Sequence, residues 1–205
     1  FVGKENGDTK DMIYEGKQKI WSDYQKDIPD DHYFYVRSCI RQSFFPASEQ
    51  VFLDITRNRL KKDFFETEHH TTCGGIAYHS DAIPQETAMT IIARQFALMN
   101  KYGYENYVCS CITSFGLYTE TLETWREFPE LEAKIKEKLW ESCKLEFAKP
   151  KYLAHASDII YKFRNQIAQQ AKFKLINKKT GEPLRVVEHI GCHYAKMFPS
   201  KGFGG

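Results

Sequence analysis

The chain has 205 residues, with 29 basic and 27 acidic side chains and a formal net charge of +2; no basic tail or single-sign block offers a footing for nucleic acid or an anionic membrane. Hydrophobic residues make up 42% and aromatics 15%, enough for a real core, so global disorder is excluded. No apolar run approaches the roughly 18 residues of a membrane helix, the opening FVGKENGDTK carries no secretory h-region, and the length allows one large domain or two small ones.

Residues 1–31 are polar and aperiodic and read as an arm, closed by a turn at Asp27-Ile28-Pro29-Asp30-Asp31. His32 to Val36 is aromatic and β-branched, as a buried strand requires, and it leads to Cys39. Val51, Phe52 and Ile55 fit a helix with Ser48 as its N-cap. Phe64 and Phe65 predict a short strand that ends near Cys73. Pro84 opens a helix whose Ala88, Ile91, Ile92, Phe96 and Met99 share one face, and Gly103 closes it. Tyr107-Val108 begins a strand into Cys109 and Cys111.

Further on, Leu131, Ile135, Leu139, Cys143 and Phe147 predict one helix, and Ile160, Phe163, Ile167 and Ala171 another. Cys143 sits on the apolar stripe and reads as a small core residue. Glu120 to Trp125 reads as a solvated helix face, and Glu130 to Lys144 as surface ion pairs. Thr180-Gly181-Glu182-Pro183 is a turn, and Leu184 to Val187 a strand running on to Cys192 and His193. Strands that alternate with helices, with cysteines at the strand ends, predict a Rossmann-like α/β fold with a parallel sheet and its functional groups at one edge. A strand ending in cysteine occurs at Cys39 and again at Cys192. The domains expected are therefore a first cysteine-rich unit over 32–150 and the start of a second over 151–205. The remainder of that second motif is expected beyond Gly205.

The six cysteines are Cys39, Cys73, Cys109, Cys111, Cys143 and Cys192. An even count suits disulfides in a secreted protein, but disulfide-dense folds are small and loop-rich. Long helices and no leader point to a reducing, cytoplasmic setting in which thiols serve metal or redox chemistry. Cys73 is followed by Gly74 and Gly75, which let the backbone approach a ligand and present N–H groups to a sulfur. Cys109-Ser110-Cys111 puts two thiols in one strand-end turn. His69 and His70 precede Cys73, but adjacent side chains on a strand face opposite sides, which argues against joint ligation. Tyr78, His79 and His193 are candidate hydrogen-bond donors near the site.

In order and spacing, Cys39, then Thr72-Cys73-Gly74, then Cys111-Ile112-Thr113-Ser114-Phe115 resembles the CCG domain found in the B-type chains of the heterodisulfide reductase family: a lone cysteine, a Cys-Cys-Gly, and a Cys-x-x-Cys followed by an aromatic. Gly191-Cys192-His193 after a valine-rich strand resembles the start of a second copy, so the likeness runs over about residues 32–205. It implies an oxidoreductase subunit of thiol–disulfide or sulfur-substrate chemistry, in the methanogen enzyme or a sulfur-oxidising relative. The implied partners are a ferredoxin-like C subunit, a flavin-containing A subunit, and a disulfide or sulfur-carrier substrate. The implied metal ligands are Cys39, Cys73 and Cys111, with Cys109 as a stand-in, and Cys192 as the first ligand of a second site; Gly74, Gly75, Ser114 and His193 lie around the cofactor. Thr72 and Ser114 replace two family cysteines, so this copy has no five-cysteine cradle for a non-cubane 4Fe–4S cluster. A cubane 4Fe–4S cluster, a 2Fe–2S cluster, zinc or no metal remains open. Ser114 either caps the following helix or hydrogen-bonds a cluster sulfur. A structural zinc or electron-relay subunit is the alternative function.

Overall fold

The computed structural model describes residues 28–69, 72–170 and 176–183. Four parallel strands form one sheet: β1 (Tyr33–Val36), β2 (Phe64–Phe65), β3 (Asn106–Cys109) and β4 (Tyr152–His155), in the order β2-β1-β3-β4. The helices are α1 (Cys39–Phe44), α2 (Pro46–Leu53), α3 (Gly75–His79), α4 (Gln85–Lys101), α5 (Ile112–Glu127), α6 (Pro129–Cys143), α7 (Ala156–Lys162) and α8 (Arg164–Gln169). A π-helical stretch, Asp54–Arg59, extends α2. This is the expected Rossmann-like α/β architecture.

The strands explain the layering. Parallel sheets are covered on both faces, so their strands are apolar without alternation, as Tyr-Phe-Tyr-Val is in β1. Phe34, Val36, Phe65, Tyr107, Cys109 and Leu153 face one core, shared with Met89, Ile92 and Phe96 of α4, Phe115, Tyr118 and Trp125 of α5, and Ile135 and Leu139 of α6. Tyr33, Tyr35, Phe64, Val108 and Ala154 face the other, with Phe52 and Leu53 of α2 and Ala156 and Ile159 of α7. Each such large side chain removed from water contributes about 1.5–3 kcal/mol before entropy is counted.

Several local expectations change. Pro46 rather than Ser48 sets the start of α2: proline occupies the first turn, and Ser48 Oγ donates back to Phe45 O at 2.8 Å. Val51 is exposed, and the inward positions are Glu49, Phe52 and Leu53. The helix expected to run to Phe147 ends at Cys143, because Lys144 turns left-handed (φ 54). Cys143 is exposed, not core; Phe147 returns from the following loop to pack on Trp125. Trp125 and Thr121 are buried, so the face read as solvated is the inner face of α5. The helix expected over Ile160 to Ala171 is two short helices that break at Phe163, and Ala171 lies outside the described residues.

Ile28, the first described residue, already belongs to the second core. β4 begins just after the expected boundary at 150 and pairs with β3 in this same sheet. The turn near Thr180 is present, with Gly181 N–H donating to Asn177 O at 2.8 Å. His70, the strand expected at 184–187, Cys192 and His193 lie outside the described residues.

Candidate metal centre

Chain order fixes where a ligand fits. After β1 the chain steps out to β2, then crosses back to place β3 on β1's other side. The topological switch point therefore lies between the carboxyl ends of β1 and β3, where open α/β sheets bind their ligands. Val36 of β1 is level with Cys109 of β3, and Cys109 with His155 of β4. Cys39 follows β1, Cys109 and Cys111 end β3, and the loop after β2 delivers Cys73. The fourth strand ends in a histidine rather than a cysteine.

Each thiol has a different setting. Cys39 is exposed at the first position of α1, whose N-cap Ser38 accepts Arg41 N–H at 3.1 Å. Cys111 is half-buried and is itself the N-cap residue of α5. Cys73 is buried and its sulfur accepts two hydrogen bonds, from Gly75 N–H at 3.3 Å and Ser114 Oγ at 3.0 Å. Burial raises its pKa; the Ser114 and Gly75 donors oppose this, while charge on Cys111 and Cys39 adds to it. Negative charge on Cys39 or Cys111 thus makes the Cys73 thiol harder to ionise, which a cation would reverse.

Cys109 is fully buried in the first core, and its S–H lies 3.8 Å from the carbonyl oxygens of Cys111 and Ala154. Burial, more than any neighbouring charge, holds its pKa well above the usual thiol range. Among the described residues, no three His, Cys, Asp or Glu side chains converge tightly enough to hold a metal ion as they stand. The donor set suits a thiolate-bound metal in its chemistry: soft sulfurs at one sheet edge, with backbone and hydroxyl donors aimed at one of them.

Both glycines stand where a side chain would crowd or strain the chain. Gly74 has φ +75, a left-handed conformation that a side chain strains, and an added Cβ would lie 3.2 Å from Ile91 Cδ1. A Cβ on Gly75 would lie 3.2 Å from Cys73 Sγ and 3.3 Å from Thr113 Cγ2. The two residues in place of family cysteines stay near sulfur. Thr72 Oγ1 is 3.9 Å from Cys39 Sγ and accepts Gly74 N–H at 3.3 Å. Ser114 does not cap α5; it sits inside the first turn and donates to Cys73. Tyr78 donates to Glu120 at 3.3 Å, and His69 is exposed.

No family model matches the chain. The B subunit of the ferredoxin:CoB-CoM heterodisulfide reductase of Methanosarcina acetivorans is 25% identical to it over 177 residues, 83% of this chain and 54% of that protein. This chain is similar to a heterodisulfide reductase B subunit. It spans about half the length of that relative.

Sequence reading missed His155 and Glu49. His155 caps α7 in a capping box: its backbone N–H donates to Asp158 Oδ2 at 2.9 Å, and Ser157 N–H donates to its Nδ1 at 3.3 Å. The spacing His155-x-x-Asp158 was a visible signal. Burial lowers the pKa of His155 to about 4; a hydrogen bond with the Ser110 backbone opposes this, and the Arg41 charge assists it. Between the ordinary value of 6.5 and about 4 the unfolded chain binds the proton and the folded chain does not. The contribution is whole above pH 6.5 and is lost as pH falls towards 4. At most it amounts to about 3 kcal/mol, at 1.36 kcal/mol per unit. Urea unfolding across this window should show wild type losing stability relative to His155→Asn, a good N-cap without the imidazole. Parallel profiles would show that the imidazole titrates normally in the fold.

Proposed function

We propose that the chain is the metal-binding part of a heterodisulfide reductase-like oxidoreductase subunit, with Cys39, Cys73 and Cys111 as thiolate ligands, Cys109 completing the set, and Cys192 the first ligand of a second site. The observation that carries this reading is that Cys39 after β1, Cys111 after β3 and the buried Cys73 lie on the segments that follow the strands flanking the switch point, with Cys73 accepting both a glycine N–H and the Ser114 hydroxyl. The similarity to the Methanosarcina protein supports the redox assignment. An iron–sulfur cluster, when bound, supplies single-electron transfer at a sulfur-rich centre.

The chain's own residues do the rest. Gly75 N–H and Ser114 Oγ stabilise negative charge on Cys73 and so set its donor strength. Gly74 and Gly75 keep the approach to that sulfur open. On this reading the substrate is a disulfide or a carrier-bound sulfur species, and electrons pass through a ferredoxin-like C subunit in a complex that also holds a flavin-containing A subunit. No described helix is long and apolar enough to cross a membrane.

A structural zinc site is the second reading. Thr72 and Ser114, standing where the family has ligands, act as hydrogen-bonding groups beside sulfur, which leaves a donor set small enough for zinc. Iron, zinc and acid-labile sulfide per chain, measured on anaerobically purified protein with absorption and EPR spectra, separate the two. Iron with sulfide and a redox-active signal is the expected result. Zinc without iron assigns the site a structural role, and protein that retains neither overturns both readings.

A further inference from the structure

Glu49 is a fully buried carboxylate in α2, on the side of the sheet opposite the main core. Its carboxylate accepts hydrogen bonds from the Tyr35 hydroxyl, from Ser110 Oγ, and from Ser38 N–H at 3.3 Å. Arg41 Nε lies 3.7 Å away. The partners are themselves tied together: Ser38 N–H lies 2.7 Å from Ser110 Oγ, Ser110 N–H donates to Val36 O at 3.2 Å, and an Arg41 N–H donates to Ser110 O at 3.4 Å.

The location of these partners is informative. Ser38 precedes Cys39 and caps α1. Ser110 lies between Cys109 and Cys111. Arg41 is in the first turn of the helix that Cys39 begins. One carboxylate therefore grips both loops that flank the switch point. Burying an acid solely to fill space is a poor solution, since an apolar side chain of similar volume packs without loss of hydration. A buried polar network with every member hydrogen-bonded instead selects a single arrangement of its partners.

We infer that Glu49 is a positioning residue: its buried carboxylate locks the Ser38-Cys39 and Cys109-Ser110-Cys111 backbones against each other and so sets the spacing of the Cys39 and Cys111 thiols. The inference rests on the reading of those thiols as one site. Glu49 touches no sulfur and acts only through Ser38, Ser110 and Arg41.

The test uses Glu49→Ala, Glu49→Gln and Ser110→Ala in the full chain, with amide hydrogen exchange and anaerobic reconstitution with ferrous iron and sulfide. In Glu49→Ala, amides of residues 37–39 and 109–111 are expected to exchange about tenfold faster or more, while those of α4 keep wild-type protection. Iron affinity should fall about tenfold, at the low end of the roughly 10–100-fold typical of losing a group bonded directly to a ligand, since Glu49 acts one step further out. Glu49→Gln, which still accepts hydrogen bonds, should recover part of both. Ser110→Ala cuts one link and should loosen the same two segments, which keeps the test alive if Glu49→Ala does not fold. A uniform rise in exchange across the sheet, or wild-type protection at both loops, overturns the positioning role. Wild-type protein that takes up neither iron nor zinc sinks the shared-site reading instead, and the exchange pattern still decides what Glu49 does.

Discussion

Cys73→Ser is expected to abolish stable iron binding while leaving the chain folded. On the proposed reading Cys73 is the central ligand: it accepts Gly75 N–H and Ser114 Oγ, and a bound cation would offset the burial and the Cys39 and Cys111 charges that raise its pKa. A serine oxygen is smaller and harder than sulfur and binds soft metals poorly, yet it can accept the same two hydrogen bonds, so the local turn survives. The loss should exceed the roughly 10–100-fold expected of Ser114→Ala, which removes only a donor to that sulfur. Cys143→Ser supplies the contrast. Cys143 is exposed at the end of α6, and its loss should change neither iron nor sulfide. Iron and sulfide per folded chain, with circular dichroism to check the fold, order the three variants. If Cys73→Ser keeps its iron, or if Cys143→Ser loses it, the assignment of ligands is wrong.

What was legible in the sequence was what local chemistry dictates. β1 is apolar throughout and β3 is apolar after Asn106, because both sheet faces are covered, and that density is visible in Tyr33 to Val36 and Tyr107 to Val108. α4 carries a complete apolar stripe and a glycine stop. The Gly74-Gly75 pair beside Cys73 was legible because only glycine tolerates φ +75 and close approach to a sulfur. What escaped depends on tertiary context. β4 has only four residues, and its half-polar Tyr-Leu-Ala-His gains its strand character from pairing with β3. Glu49 looks like any helix-surface acid until Tyr35, Ser38 and Ser110 are brought around it from distant parts of the chain. Cys143 continued a four-residue repeat, but the repeat outlasted the helix.

Trp125 shows the same limit, with a large energetic consequence. Glu120 and Glu123 made its helix face look solvated, yet the indole is 1% exposed and contacts both Phe96 and Phe147 edge-on, at centroid distances of 6.4 and 5.1 Å. Trp125→Ala should cost about 3–5 kcal/mol, because it removes a large buried side chain where α4, α5 and the loop after α6 meet and the surroundings refill only part of the space. Among the described residues the indole N–H has no hydrogen-bond partner. Trp125→Phe sheds that unsatisfied donor, whose burial costs about 1–3 kcal/mol, while it keeps most of the ring contacts. The phenylalanine variant should therefore lie within about 1.5 kcal/mol of wild type, as volume-tolerant apolar swaps do. Urea unfolding monitored by far-ultraviolet circular dichroism gives both values. A phenylalanine variant as unstable as the alanine one would mean that the indole N–H makes a bond the fold needs. An alanine variant near wild type would mean that Trp125 is not a keystone of this core, and that the two helices and the loop close without it.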